Sequence, residues 1–142
     1  MAIPPIFKFK NIKVKLTTID TPTFIYGVNS YVLGNNTLDS GISPADITSV
    51  VLTVQISNLL SNNVLVDVLV QNSQSLTFTP ANAYYLVKAY PVVPANAFDP
   101  LSGNLSLGAY DQIWVRYSVA GGASNGCDVV VSLLEIANAT AS

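Results

Sequence analysis

Residues 47–71 run Ile47-Thr-Ser-Val-Val-Leu-Thr-Val-Gln-Ile-Ser-Asn-Leu-Leu60, then Ser61-Asn62-Asn63, then Val64-Leu65-Val66-Asp67-Val68-Leu69-Val70-Gln71. Two runs rich in β-branched residues flank an Asn-Asn pair. Asn tolerates the positive φ of tight turns, so the stretch predicts two strands joined as a hairpin. The second run is apolar on both parities apart from Asp67. A sheet with one face in water alternates apolar and polar residues instead.

The same vocabulary continues outward in both directions. Thr23 to Leu33 predicts a strand with Gly27 as a bulge, and 34–44 a polar loop. Downstream, 75–79 and 83–90 predict a short strand pair, and Pro91, Pro94 and Pro100 break the next stretch into loop. Leu105–Leu107, Asp111–Val119 and Cys127–Ile136 predict the remaining strands. No stretch has a helical period and no repeat of fixed length occurs. The expected fold is all-β: an antiparallel β-sandwich of about eight short strands, jelly-roll-like or Ig-like.

At the N-terminus, Phe7-Lys8-Phe9-Lys10-Asn11-Ile12-Lys13-Val14-Lys15-Leu16 alternates with period two. Phe7 and Phe9 share one parity and Ile12, Val14 and Leu16 the other, so the phase changes at Asn11 and predicts a bulge or bend there. Residues 1–16 are read as a basic strand or extended arm, 17–137 as the sandwich, and 138–142 as a short polar tail. Four of the chain's six basic residues lie in the arm, leaving Lys88 and Arg116 against all eight acids. The body is mildly acidic, which argues against nucleic acid as a partner.

The chain has 142 residues, 50% of them hydrophobic and 10% charged. That is enough apolar material for a packed core and excludes intrinsic disorder. The first residues lack the apolar run of a signal peptide and nothing approaches a membrane span, so neither export nor a membrane partner is expected. There is no His and one Cys. Cys127, between Gly126 and Asp128, reads as a small buried hydrophobe. The eight acids are dispersed, and those at turns suit backbone capping. No Walker loop, dinucleotide fingerprint, calcium loop or Cys/His cluster occurs, so no cofactor, metal site or enzymatic activity is expected. Tyr84, Tyr85, Tyr90, Tyr110, Trp114 and Tyr117 read as cross-strand packing rather than a sugar platform.

The strand Val64–Val70 and its counterpart Val129-Val130-Val131-Ser132-Leu133-Leu134 are apolar on both faces. One sandwich has one interior. Such strands call either for a second burial surface, supplied by assembly, or for a cover of loops. On the assembly reading, the interface residues are Phe7, Lys8, Phe9, Lys10, Lys13, Lys15, Val64, Val66, Val68, Val130 and Leu134.

The second half carries a resemblance. The β-rich stretch Val50 to Gln71 is followed by Tyr85-Leu86-Val87-Lys88 and Pro91-Val92-Val93-Pro94-Ala95. Next comes Gly108-Ala109-Tyr110-Asp111-Gln112-Ile113-Trp114-Val115, and the close is Cys127-Asp128-Val129-Val130-Val131-Ser132-Leu133-Leu134-Glu135-Ile136. This order resembles small β-sandwich virion structural proteins of tailed bacteriophages, with Ala109 and Tyr110 as a departure between the Gly and the Asp. The resemblance implies a non-enzymatic virion protein made in a host cytoplasm. Its implied role is capsid decoration or cement. It would oligomerise with itself, a trimer favoured, and bridge subunits of the major capsid protein or other virion proteins. A neck, tail or baseplate component, or a receptor- or carbohydrate-binding module, is the alternative.

Overall fold

The computed structural model describes residues 6–28, 47–99, 104–119 and 126–137. The expected loop at 34–44, the tail 138–142 and the last residues of the strand expected to reach Leu33 lie outside them. Among the described residues nine strands are formed: β1 (Ile6–Leu16), β2 (Thr23–Gly27), β3 (Ile47–Asn58), β4 (Val64–Asn72), β5 (Ala83–Val92), β6 (Ala97–Phe98), β7 (Leu105–Leu107), β8 (Asp111–Ser118) and β9 (Cys127–Ala137). One sheet has the order β1-β9-β3-β6, with β7 also on β3, and the other β2-β8-β4-β5. β6 and β7 pair with separate stretches of β3 on the side away from β9, so each sheet has four positions. All pairings are antiparallel.

Of the sequence neighbours among the described strands only β4 and β5 pair with each other; every other step crosses between the sheets, except β6 to β7, which share one edge of β3. This winding is the double Greek key of a jelly roll, which decides between the two sandwich topologies the sequence left open. It also corrects the hairpin expected around Asn62-Asn63. β3 and β4 lie in different sheets, and residues 59–63 cross the gap. Asn58, 1% exposed, holds the crossing. Its Nδ2 donates to the carbonyls of Asn62 (2.9 Å) and Val92 (2.8 Å), and its Oδ1 accepts from the Leu60 N–H (2.9 Å). A buried amide with its partners in place satisfies the backbone where the ladder stops.

The core lies between the sheets. Val51, Val54, Ile56, Val64, Val66, Val68, Ile113, Val115, Tyr117, Val129, Val131 and Leu133 fill it. Val64, Val66 and Val68, expected at an interface, are each fully buried here and reach no outer surface. The opposite parity of β4 explains why that strand reads as apolar on both faces. Leu69 and Trp114 face one another across β4 and β8 and are 2% and 4% exposed. A flap from the β4–β5 connection covers them. Phe78 lies 5.3 Å from the Trp114 ring, and Phe24 of β2 meets the same ring edge-on at 5.5 Å. At Leu69, then, loop cover hides the second apolar face of β4, while Leu65 on the same parity stays 44% exposed.

Two glutamines pin the flap. Gln71 donates to the Thr77 carbonyl (2.9 Å) and accepts from the Thr79 N–H (2.8 Å). Gln112 donates to the carbonyls of Ser73 (3.1 Å) and Ser75 (2.9 Å). The flap backbone thus bonds to side chains, and 75–79 forms no strand; β5 pairs with β4 instead. Pro91 lies within β5 opposite Leu65, which an edge strand permits because Pro has no N–H to offer a ladder. In β2 the register shift falls between Phe24 and Tyr26 rather than at Gly27.

β1 is the strand of the two expected forms, and it is built into the first sheet. All eleven of its residues pair with β9, from Ile6 opposite Ala137 to Leu16 opposite Cys127, without a register shift. There is no bulge at Asn11. The alternation simply runs through, so Leu16, Val14 and Ile12 pack on the core while Phe7 and Phe9 turn outward.

Candidate assembly surface

The outer face of the first sheet gathers the exposed apolar residues of β1. Phe7 is 60% exposed and Phe9 78%. Across the ladder Phe7 stands opposite Ile136 and Phe9 opposite Leu134, and Leu134 stands opposite Val50 of β3. Ile136, Leu134 and Val50 are half-buried. Leu52 joins them through a bulge: β3 shifts register between Val51 and Thr53, which turns Leu52 outward at 38% exposure. The result is an apolar stripe over three adjacent strands in the half of the sheet nearest the start of β1. The other half is polar and charged. Lys13 is opposite Val130, Lys15 opposite Asp128, and Asn11 opposite Ser132. Lys15 Nζ lies 3.3 Å from Asp128, and the Ser132 hydroxyl donates to Asn11 Oδ1 at 2.7 Å. An open depression of about 380 Å³ at the charged end is lined by Lys13, Val14, Lys15, Asp128, Val129 and Val130.

The expected interface set therefore divides. Phe7, Phe9, Lys13, Lys15, Val130 and Leu134 share this outer face. Lys8 and Lys10 fall on the inward parity of β1. Lys10 reaches Glu135 at 2.9 Å, and Glu135 is 4% exposed. Tyr26 donates to the other oxygen of Glu135 and shares a 2.7 Å hydrogen bond with Ser49. Burial, and then the contact with Glu135, hold the Tyr26 phenol above its ordinary range. A carboxylate, a cation and two hydroxyls meet inside the sandwich, and each has a partner, as burial requires. Sequence reading missed this cluster because its members come from four strands and show no local pattern.

The second sheet carries a different surface. Its edge strand β5 exposes Tyr84 (76%), Tyr85 (45%) and Tyr90 (45%), whereas Trp114 and Tyr117 are buried. The aromatic set expected to pack is thus half surface. Lys88 lies over the Tyr85 ring at 5.1 Å, and the Tyr85 hydroxyl accepts from Arg116 Nη2 at 2.9 Å. Arg116 in turn binds Asp67 through Nε (2.9 Å) and Nη2 (2.7 Å). Cys127 is buried with a free thiol, as its neighbours in sequence suggested, and burial pushes its pKa up to about 11. Among the described residues no group of three His, Cys, Asp or Glu side chains is placed to hold a metal. No helix among them is long and apolar enough to cross a membrane.

No protein-family model and no curated protein matches the sequence. Solved structures do. A chain of infectious bursal disease virus, Gx strain, superposes with a TM-score of 0.52 at 7% identity over 96% of this chain. This chain spans only 34% of that one. Turnip yellow mosaic virus matches with a TM-score of 0.47 at 14% identity, over 100% of this chain and 87% of that one. A structure of Bacillus endospore appendages, described as disulfide-linked pili, matches at 0.44 and 11%, over 99% and 95%. The bursal disease virus likeness establishes a shared fold: the chain is a β-sandwich of the architecture found in that virus structure.

Proposed function

We propose that the chain is a non-enzymatic structural subunit of a virion, a capsid decoration or cement protein of a tailed bacteriophage that joins copies of itself to the major capsid protein. The observation that carries this reading is the stripe of Phe7, Phe9 and Leu52 with Val50, Leu134 and Ile136 on one sheet face. Apolar side chains left contiguous on a monomer mark an interaction site. Covering them contributes roughly 25 cal/mol per Å² before the costs of association. The lysines at the other end of the face, Lys13 and Lys15, suit an acidic shell surface. The fold shared with a virus structure supports the same reading. Seats at a neck, tail or baseplate use the same contacts and differ only in the neighbour.

Cryo-microscopy of particles from the source of the chain tests the reading. Density for the sandwich is expected on the shell, with the β1-β9-β3 face against a neighbour. Density confined to a vertex or tail moves the role there, and a particle without it ends the proposal. The double substitution Phe9→Ser, Leu52→Ser should leave a folded monomer that no longer joins the particle.

The exposed tyrosines of β5 favour a second reading, a receptor- or carbohydrate-binding module. Saturable glycan binding lost in Tyr84→Ala, Tyr90→Ala, with particle binding intact, would establish it.

A further inference from the structure

We infer that two copies of this chain join edge to edge through β1, in an antiparallel pairing centred on Asn11 that extends the first sheet across a twofold axis. The inference rests on the proposed reading of the chain as an assembling subunit and names its partner as a second copy.

β1 is the terminal strand of its sheet, and among the described residues no strand pairs with its far edge. Its ladder with β9 runs eleven residues without a shift, so the opposite edge is equally straight. Alternate N–H and C=O groups of such an edge point away from the existing partner and can template another strand. The edges of the other sheet are built differently: β2 is five residues long and shifts register between Phe24 and Tyr26. β5 shifts register twice against β4, and those bulges spoil it as a template. β1 has no such device. Its lysines are the usual deterrent to a stray strand, but their positions fit one partner well.

That partner is the same strand reversed. About Asn11, Phe7 falls opposite Lys15 of the second copy, Lys8 opposite Val14, Phe9 opposite Lys13, Lys10 opposite Ile12, and Ile6 opposite Leu16. Every lysine meets an apolar residue and no lysine meets another. Like charges placed directly opposite destabilise a sheet, whereas a cation beside an aromatic ring is attracted to it. The neighbouring registers are worse. A one-residue slip sets outward residues against inward ones. A two-residue slip one way brings Lys10 onto Lys10, and the other way leaves Ile6 and Phe7 unpaired. Only the centred register uses the whole strand. The contact is twofold, and gives a dimer where the resemblance implied a trimer.

Cross-linking of the full chain tests this. Asn11 is exposed on the outer face and would meet its own copy on the axis. Asn11→Cys should form a disulfide-linked dimer for most of the protein under mild oxidation. Lys13→Cys, on the same face, should not, because the two introduced thiols would stand four residues, roughly 13 Å, apart along the strands. Wild-type protein should not cross-link either, since Cys127 is buried. Phe9→Lys sets lysine against Lys13 twice and should raise the dimer dissociation constant at least tenfold, with the thermal midpoint of the monomer unchanged. A chain that sediments as a monomer at all concentrations and fails to join a particle overturns the inference and the reading beneath it. A trimer or larger assembly in which Asn11→Cys does not cross-link, or Lys13→Cys cross-links as well, overturns the β1 contact alone.

Discussion

At position 126 an added Cβ would lie 2.4 Å from Cε2 of Tyr117 and 2.7 Å from its Cζ. Tyr117 is in the core, 1% exposed, and cannot swing clear. Gly126 also bridges two segments, donating to the Leu16 carbonyl at 3.1 Å and accepting from the Leu59 N–H at 2.9 Å. Gly126→Ala should therefore destabilise the fold by about 1–3 kcal/mol, the usual cost of overpacking, read as a lower urea midpoint. An unchanged midpoint would mean that the ring yields freely. Ala89 gives the opposite case. It holds φ 52°, a left-handed conformation, inside β5, while its N–H donates to Asp67 Oδ1 at 2.7 Å. Relief of the Cβ contact outweighs the extra freedom of glycine in the unfolded chain. Ala89→Gly should raise stability by about 0.5–1 kcal/mol in the same measurement.

At the scale of elements, β1 behaves as part of the sandwich. Leu16, Ile12 and Val14 pack on the core, and Lys10 pairs with the buried Glu135. Deleting residues 1–16 exposes the β9 edge, opens one flank of the core and leaves a buried carboxylate without its cation, a loss of several kcal/mol. The truncated chain should show no cooperative thermal transition at 25 °C or above by circular dichroism. A truncated chain that melts as sharply as the full one would return β1 to the status of an arm. The flap over Trp114 is a milder case. Its hold is local, so Phe78→Ala should increase Trp114 solvent exposure, seen as a red-shifted and more quenchable emission, while global unfolding remains cooperative.

At the scale of the whole molecule, three neutral acids are buried in ways that make the fold sensitive to alkali. The Cys127 thiol is pushed up from 9.0 to about 11, and the phenols of Tyr26 and Tyr117 are raised as well, in each case chiefly by burial. In the unfolded chain these groups release their protons at lower pH than in the folded one. Stability from this source is therefore complete below about pH 9 and falls as pH rises, first through Cys127 between 9 and 11 and then through the tyrosines. Cys127 alone accounts for about 2 kcal/mol by pH 11. Urea midpoints at pH 7, 9 and 11 should fall in that order, and Cys127→Ala should flatten the first part of the decline. A midpoint that rises with pH reverses the sign and removes the argument.

Composition and alternation by themselves determined that this chain is a sandwich of short strands with a packed core. β-branched residues at period two demand a half-buried pleated surface wherever they occur, so β3, β8 and β9 stand close to where the residues place them. That Phe7 shares a face with Phe9, and Val130 with Leu134, was legible for the same reason. What only the tertiary structure decided was partnership. Asn62-Asn63 suits a hairpin as well as a crossing, and the choice follows from Asn58 and the far strand end at Val92. The apolar double face of β4 has two solutions, and a flap held by Gln71 and Gln112 supplies one of them. The phase of β1 was set by β9 across the ladder, which carried one alternation through Asn11 and turned two phenylalanines to solvent. Local pattern fixes which side chains share a face. Which face is buried depends on contacts between residues far apart in the chain, and no local pattern records them.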